Sequence, residues 1–163
     1  MDLYLIRHAE AQPPGGDIPD DDSRPLTPAG HAQCQPLAAA LRGHGVRLEK
    51  VVSSPLLRAR QTAEGLLQHW GAPAPELVVC DHLAPGGKRR RLTRFLQELS
   101  LNSVAVVGHM PDLAEYAAWL IGSRKAQLGL AKSGVARIEF DGPPEKKSGV
   151  LTWLLTPEWY SGG

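Results

Sequence analysis

The sequence predicts an α/β fold: a three-layer sandwich with a mainly parallel central sheet, an antiparallel edge strand, and helices on both faces. Short apolar runs alternate with longer helical patterns as far as residue 121, which is how parallel strands joined by crossover helices read. After residue 134, two strand-like runs follow each other across a polar turn, which adds the antiparallel edge. A third observation concerns placement. Arg7-His8 directly follows the first strand, Arg58 lies in the first helical turn after the second, and His109 follows the fourth. Open α/β sheets bind ligands at such strand ends.

The elements come in order. Leu3, Tyr4, Leu5 and Ile6 form a buried strand that stops at Arg7-His8, two side chains a core does not accept unpaired. Residues 11–25 are rich in Pro, Gly and Asp and read as loop, either a solvated excursion or a flap over the strand end. Thr27 and Pro28 then announce a helix as N-cap and first helical residue, with Gly43 or Gly45 to end it. Pro36 inside it predicts a kink or a break. Residues 50–53 are a second strand, followed by Ser54-Pro55 as N-cap and N1 of a helix over 56–70. Residues 77–80 are a third β-prone run. Residues 88–101 read as a helix through Leu92, Phe95, Leu96 and Leu99. Residues 104–107 are the most clearly buried strand, and a helix over 112–121 follows with Pro111 at N1. Strands over 134–140 and 149–155 form the final pair, and 157–163 reads as a tail.

Composition bounds the function. Residues 1–163 are enough for a single domain with a core and show no internal repeat. With 18 Lys+Arg against 17 Asp+Glu, the net charge of +1 argues against nucleic acid or a membrane as partner. Only Cys34 and Cys80 occur, which suits a reducing compartment. The apolar run after Met1 is too short for a signal peptide, and no run reaches membrane-spanning length. A soluble, cytoplasmic protein is expected.

In a parallel sheet Arg7, His8, Arg58 and His109 share the carboxyl edge, and two helix N-termini point their free N–H groups the same way. Guanidiniums, imidazoles and positive helix ends meeting in one cleft make a phosphate site. Arg suits it because its planar fork grips tetrahedral oxyanions through two nitrogens.

The run Arg7-His8-Ala9-Glu10-Ala11 resembles the Arg-His-Gly signature of the histidine phosphatase (phosphoglycerate-mutase-like) superfamily, with Ala9 in place of Gly. The stretch from Ser53 through Arg58 to Ala63 is similar to the second signature, and Val107-Gly108-His109 to the third. Small size and the run Ser23-Arg24-Pro25-Leu26-Thr27 point further, to the SixA branch of phosphohistidine phosphatases. The resemblance implies a single histidine-phosphatase-like domain in which His8 is the nucleophile and carries the phosphoryl group as phosphohistidine until water hydrolyses it. It makes Arg7, Arg58 and His109 the holders of the phosphate oxygens, with Arg24 a further candidate for phosphate binding. No metal and no cofactor are expected, because the guanidiniums neutralise the phosphate.

Many relatives keep a carboxylate acid after the third strand, where this chain has Asp81-His82-Leu83. Asp81, His82 and water are all candidate proton donors; His82 is preferred because imidazole titrates near neutrality. The basic run Lys88-Arg89-Arg90-Arg91 is either a solvated face or a steering surface for an acidic phosphoprotein. His31 and Cys34 have a metal-like spacing but no second pair, so they read as helix residues. Trp70, Trp119 and Trp153 read as core or core-edge.

The leading expectation is a phosphatase acting on phosphohistidine borne by a partner protein. The alternative is a small-molecule phosphomonoesterase or mutase of the same superfamily, acting on a small phosphorylated substrate. A non-catalytic phosphoprotein-binding module is the third possibility, and the presence of both arginines and both histidines counts against it.

Overall fold

The computed structural model describes residues 1–161; residues 162 and 163, the end of the expected tail, lie outside the described residues. Strand β1 (Asp2–Arg7) is followed by helix α1 (Pro28–Gly43), β2 (Lys50–Ser53), α2 (Leu57–Gln68) and β3 (Glu76–Val79). A short 3₁₀ turn (Asp81–Leu83) leads to α3 (Arg89–Leu99), β4 (Ser103–Gly108) and α4 (Asp112–Leu120). The chain closes with β5 (Val135–Glu139), β6 (Val150–Leu155) and α5 (Pro157–Tyr160).

The sheet has the order β3-β2-β4-β1-β5-β6. The first four strands run parallel, β5 runs against β1, and β6 pairs antiparallel with β5. Alternation within β1 divides the core. Leu3 and Leu5 pack with Leu92 and Leu96 of α3 and Leu113 and Leu120 of α4 on one face. Tyr4 and Ile6 pack with Leu37 and Leu41 of α1 and Ala63 and Leu66 of α2 on the other. Helices therefore cover both faces, and the three layers are as expected. The chain leaves β1 toward one face and the adjacent β4 toward the other. That divergence opens a crevice at their carboxyl ends.

Local chemistry explains most boundaries. The Thr27 hydroxyl accepts from the Gly30 N–H at 2.9 Å and caps α1. Of the kink or break expected at Pro36, the break does not occur: α1 continues through it. The carbonyl deprived of its donor is that of Ala32, which is solvent-exposed, while Cys34, Leu37, Ala38 and Leu41 stay buried on the other side. Gly30 is required at its place, since a Cβ there would collide with the Glu10 carbonyl.

Three expectations need correction. Ser54 does not cap α2 and Pro55 is not its first residue: the Ser54 N–H still bonds the Val107 carbonyl at 2.9 Å, so the chain stays in the sheet and the extended Leu56 is the cap. Pro111 is likewise the cap of α4 rather than its first residue, because its carbonyl accepts the first bond of the helix, from the Glu115 N–H at 3.0 Å. The expected tail is partly helical. The Tyr160 hydroxyl donates to the Ser133 carbonyl at 2.6 Å and its ring packs at the core edge, which anchors α5. Trp70 is buried, and Trp119 and Trp153 sit at core edges, as read.

Candidate active site

At the crevice between β1 and β4 stand four of the side chains that the sequence singled out, Arg7, His8, Arg58 and His109. The His8 N–H bonds the Gly108 carbonyl at 3.0 Å, so the last residues of the two strands stay in register and deliver His8 and His109 side by side. Their ring centroids are 5.3 Å apart at an interplanar angle of 52°. Both are nearly enclosed, 8% and 4% exposed.

His8 is held from beneath. Its Nδ1 lies 2.7 Å from the Ala9 carbonyl oxygen, which can only accept. Nδ1 therefore carries the proton, and in the neutral ring Nε2 is left with its lone pair. The Ala9 N–H donates to Thr62 Oγ1 (2.9 Å), and that hydroxyl donates to the Arg58 carbonyl (2.7 Å), which ties the turn after β1 to the first turns of α2. On the other side, the Ser133 N–H reaches the Arg7 carbonyl at 3.1 Å. Burial, reinforced by the charges of Arg58, Arg7 and Arg24, lowers the His8 pKa to about 4.

His109 is pulled lower still, to about 3, by burial first and then by the Arg58 charge. Its Nε2 is 2.8 Å from Ser54 Oγ, whereas its buried Nδ1 has no partner. Ser54 Oγ accepts from the Leu56 N–H at 3.4 Å, which leaves its own proton free for His109 Nε2. That arrangement makes His109 Nδ1–H a donor aimed at nothing in the protein.

The two arginines share this feature. Arg7 donates from Nη1 to the Leu130 carbonyl (2.9 Å), and Arg58 from Nη1 and Nη2 to the Asp21 carbonyl (2.7 Å) and carboxylate (3.0 Å). In both, the buried Nε–H is unpartnered. Among the described residues, five buried side-chain nitrogens or oxygens lack a partner, and three of them belong to Arg7, Arg58 and His109. Buried donors are normally satisfied, so three orphans around one imidazole describe a site built for an acceptor-rich ligand.

Arg24 comes to this cluster indirectly. Its Nε donates to Asp21 Oδ1 at 2.7 Å and its Nη1 to the Gln12 carbonyl at 2.8 Å. The loop 11–25 thus lies against the site, with Asp21 between Arg24 and Arg58. Burial opposes ionisation of Asp21, but the bond from Arg24 and the Arg58 charge outweigh it and hold the carboxyl below its usual range. His82 and His109 line one cleft of about 600 Å³ beside the crevice, together with the start of α3; Asp81 is exposed and not among its walls. His31 is exposed while Cys34 is buried, its thiol pushed up to about 11, so the two form no metal pair. Ser54, Asp21 and Thr62 are site residues that the sequence reading missed.

Comparison with known proteins agrees. Residues 3–83 match the family model of the histidine phosphatase superfamily (branch 1). The chain is similar to an uncharacterized protein of Picosynechococcus sp., 35% identical over 98% of both chains. It is similar to the phosphohistidine phosphatase SixA of Escherichia coli, 29% identical over 96% of this chain and 94% of that one. Among solved structures, the protein histidine phosphatase SixA complexed with tungstate superposes with a TM-score of 0.83 at 29% identity, covering 96% of this chain and 97% of the other. No described helix is long and apolar enough to cross a membrane.

Proposed function

Because the chain belongs to the histidine phosphatase superfamily, in the branch that holds SixA, we propose that it is a phosphohistidine phosphatase, removing the phosphoryl group from a histidine of a partner protein. The observation that carries this reading is the set of orphaned donors, Arg7 Nε, Arg58 Nε and His109 Nδ1, beside a neutral imidazole with a free Nε2. A tetrahedral oxyanion satisfies all three, and the tungstate in the SixA complex is such an ion.

In this mechanism His8 Nε2 attacks phosphorus as the P–N bond to the substrate imidazole breaks. The leaving ring takes up a proton, from His82 or from water. Water then attacks the phosphohistidine, the P–N bond to His8 breaks, and inorganic phosphate departs with His8 neutral again. Arg7, Arg58 and His109 hold the oxygens on which charge resides throughout, and Arg24 joins them once it leaves Asp21. Phosphoryl transfer needs alignment and charge stabilisation above all, and fixed guanidiniums supply both without a metal ion. The Nδ1–H bond to Ala9 fixes which nitrogen attacks and steadies the positive charge that His8 gains on phosphorylation. A cytoplasmic location belongs to the same proposal.

A panel assay tests it. With excess chelator present, the enzyme is expected to hydrolyse a phosphohistidine peptide and a phosphoramidate donor far faster than phosphoserine, phosphoglycerate or a sugar phosphate. Efficient cleavage of one small phosphomonoester with phosphohistidine ignored would select the small-molecule alternative. Activity lost to the chelator and restored by a divalent ion would overturn the metal-free mechanism.

A further inference from the structure

We propose that two adjoining clefts beside the site, one at the start of α3 and one along α4, form the docking surface for an acidic phosphoprotein. This deepens the phosphohistidine phosphatase reading and rests on it. The first cleft holds His82 and His109, and Lys88, Arg89, Arg90 and Arg91 stand over it. The second, of about 620 Å³, shares Arg89 and Glu115 with the first and has Arg124, Lys146 and Lys147 on its far side. Each is far larger than a phosphate group requires, so there is room for a polypeptide around the phosphorylated side chain.

The charges select the partner. All seven of these cations are exposed, and none is in an ion pair among the described residues. Two carboxylates face them: Glu115, and Asp112, whose Oδ2 accepts from the Gly86 N–H at 3.2 Å. The chain as a whole is nearly neutral at +1, so the excess is local. At the start of α3 the helix gains nothing from it. Lys88 caps α3 without a side-chain hydrogen bond, and the first turn holds cations and no acid. Positive charge at a helix N-terminus opposes the helix dipole, and adjacent like charges repel. An array that is unfavourable in the free protein becomes favourable once carboxylates lie over it.

The floor is apolar. Met110, just ahead of α4, together with Ala114 and Trp119 on it and Leu128 beyond, is partly exposed in the second cleft. A partner carrying an apolar side chain between carboxylates, near its phosphohistidine, complements both features. The unpartnered donor of His109 at the inner end orients such a partner phosphate-first.

The test uses two synthetic peptides of equal length, each with one phosphohistidine and one apolar residue. One has glutamates around them and the other has glutamines at the same positions. The intact protein is expected to show a kcat/KM about tenfold higher for the glutamate peptide at low salt, fading as ionic strength rises. Arg90→Glu combined with Lys146→Glu should bring the two peptides to parity or reverse their order, with cleavage of the glutamine peptide reporting that the variant is folded. No preference in the wild-type protein, or a preference that survives the double substitution, overturns the docking surface while leaving the phosphatase reading intact. Hydrolysis of an aryl phosphate with both peptides untouched overturns the phosphatase reading and the docking surface with it.

Discussion

Asp21 occupies the arginine on which the substrate phosphate is expected to rest. Arg58 donates from Nη1 to its carbonyl at 2.7 Å and from Nη2 to its carboxylate at 3.0 Å, and Arg24 holds the other carboxylate oxygen at 2.7 Å. A carboxylate is the side chain that best imitates one edge of a phosphate. The loop 11–25 therefore fills an anion position at Arg58 in the free protein and must yield part of it to substrate.

Asp21→Asn removes the competing charge while keeping a hydrogen-bonding group of the same shape. Inorganic phosphate and vanadate should then inhibit at concentrations about threefold to tenfold lower, since a charged hydrogen bond contributes about 1.5–3 kcal/mol and only part of it is surrendered on binding. Weaker inhibition in the variant would mean that Asp21 orients Arg58 for the phosphate rather than competing for it.

Ser54→Ala deprives His109 Nε2 of its partner at 2.8 Å in an enclosed site. The tautomer that presents Nδ1–H to the crevice is then no longer fixed. A loss of about fivefold in kcat is expected, as one neutral hydrogen bond contributes about 1 kcal/mol. Nitrogen chemical shifts of the His109 ring should move toward a tautomeric mixture. Unchanged shifts together with unchanged kcat would remove Ser54 from the site.

The pH dependence follows from two depressed imidazoles. His8 at about 4 and His109 at about 3 bind fewer protons when folded than when unfolded, where both titrate near 6.5. Their contribution to stability is complete above pH 6.5 and falls as the pH drops through the window down to the folded values. The slope approaches about 1.4 kcal/mol per pH unit for each ring within it. Thermal midpoints should decline from pH 6.5 to 4, and the decline should be shallower in His109→Gln. Imidazole resonances of His8 and His109 in the free protein should show no titration midpoint between pH 8 and 5. A midpoint near 6.5 for either would contradict the enclosure described above.

How much of this is legible in the sequence depends on how local the signal is. β1 and β4 announce themselves because short apolar runs end at residues a core does not accept unpaired, and Arg7, His8 and His109 are those residues. Arg58 is legible through its position in the first helical turn after a strand. The strand order is not legible, because adjacency of β1 and β4 comes from crossovers over sequence distances where local preference says nothing. Ser54 is hidden because Ser-Pro ahead of a helix reads equally well as a cap; only the sheet bond to Val107 reveals that the helix starts later. Asp21 is hidden for another reason. A run of aspartates in a Pro- and Gly-rich loop looks like solvated surface, and its contact with Arg58 spans the whole of α1. Thr62 reads as an ordinary helix residue until the Ala9 N–H is found on its hydroxyl.

The central claim is that His8 Nε2 takes the phosphoryl group. The direct measurement is a rapid alkaline quench of the enzyme turning over a phosphohistidine peptide, followed by mass-spectrometric location of the phosphoryl group on the protein. An acid-labile, base-stable phosphate on His8 of the wild-type protein, absent from a folded His8→Ala variant that has also lost turnover, is the predicted result. Turnover retained by His8→Ala, or a phosphoryl group trapped on another residue, would contradict it.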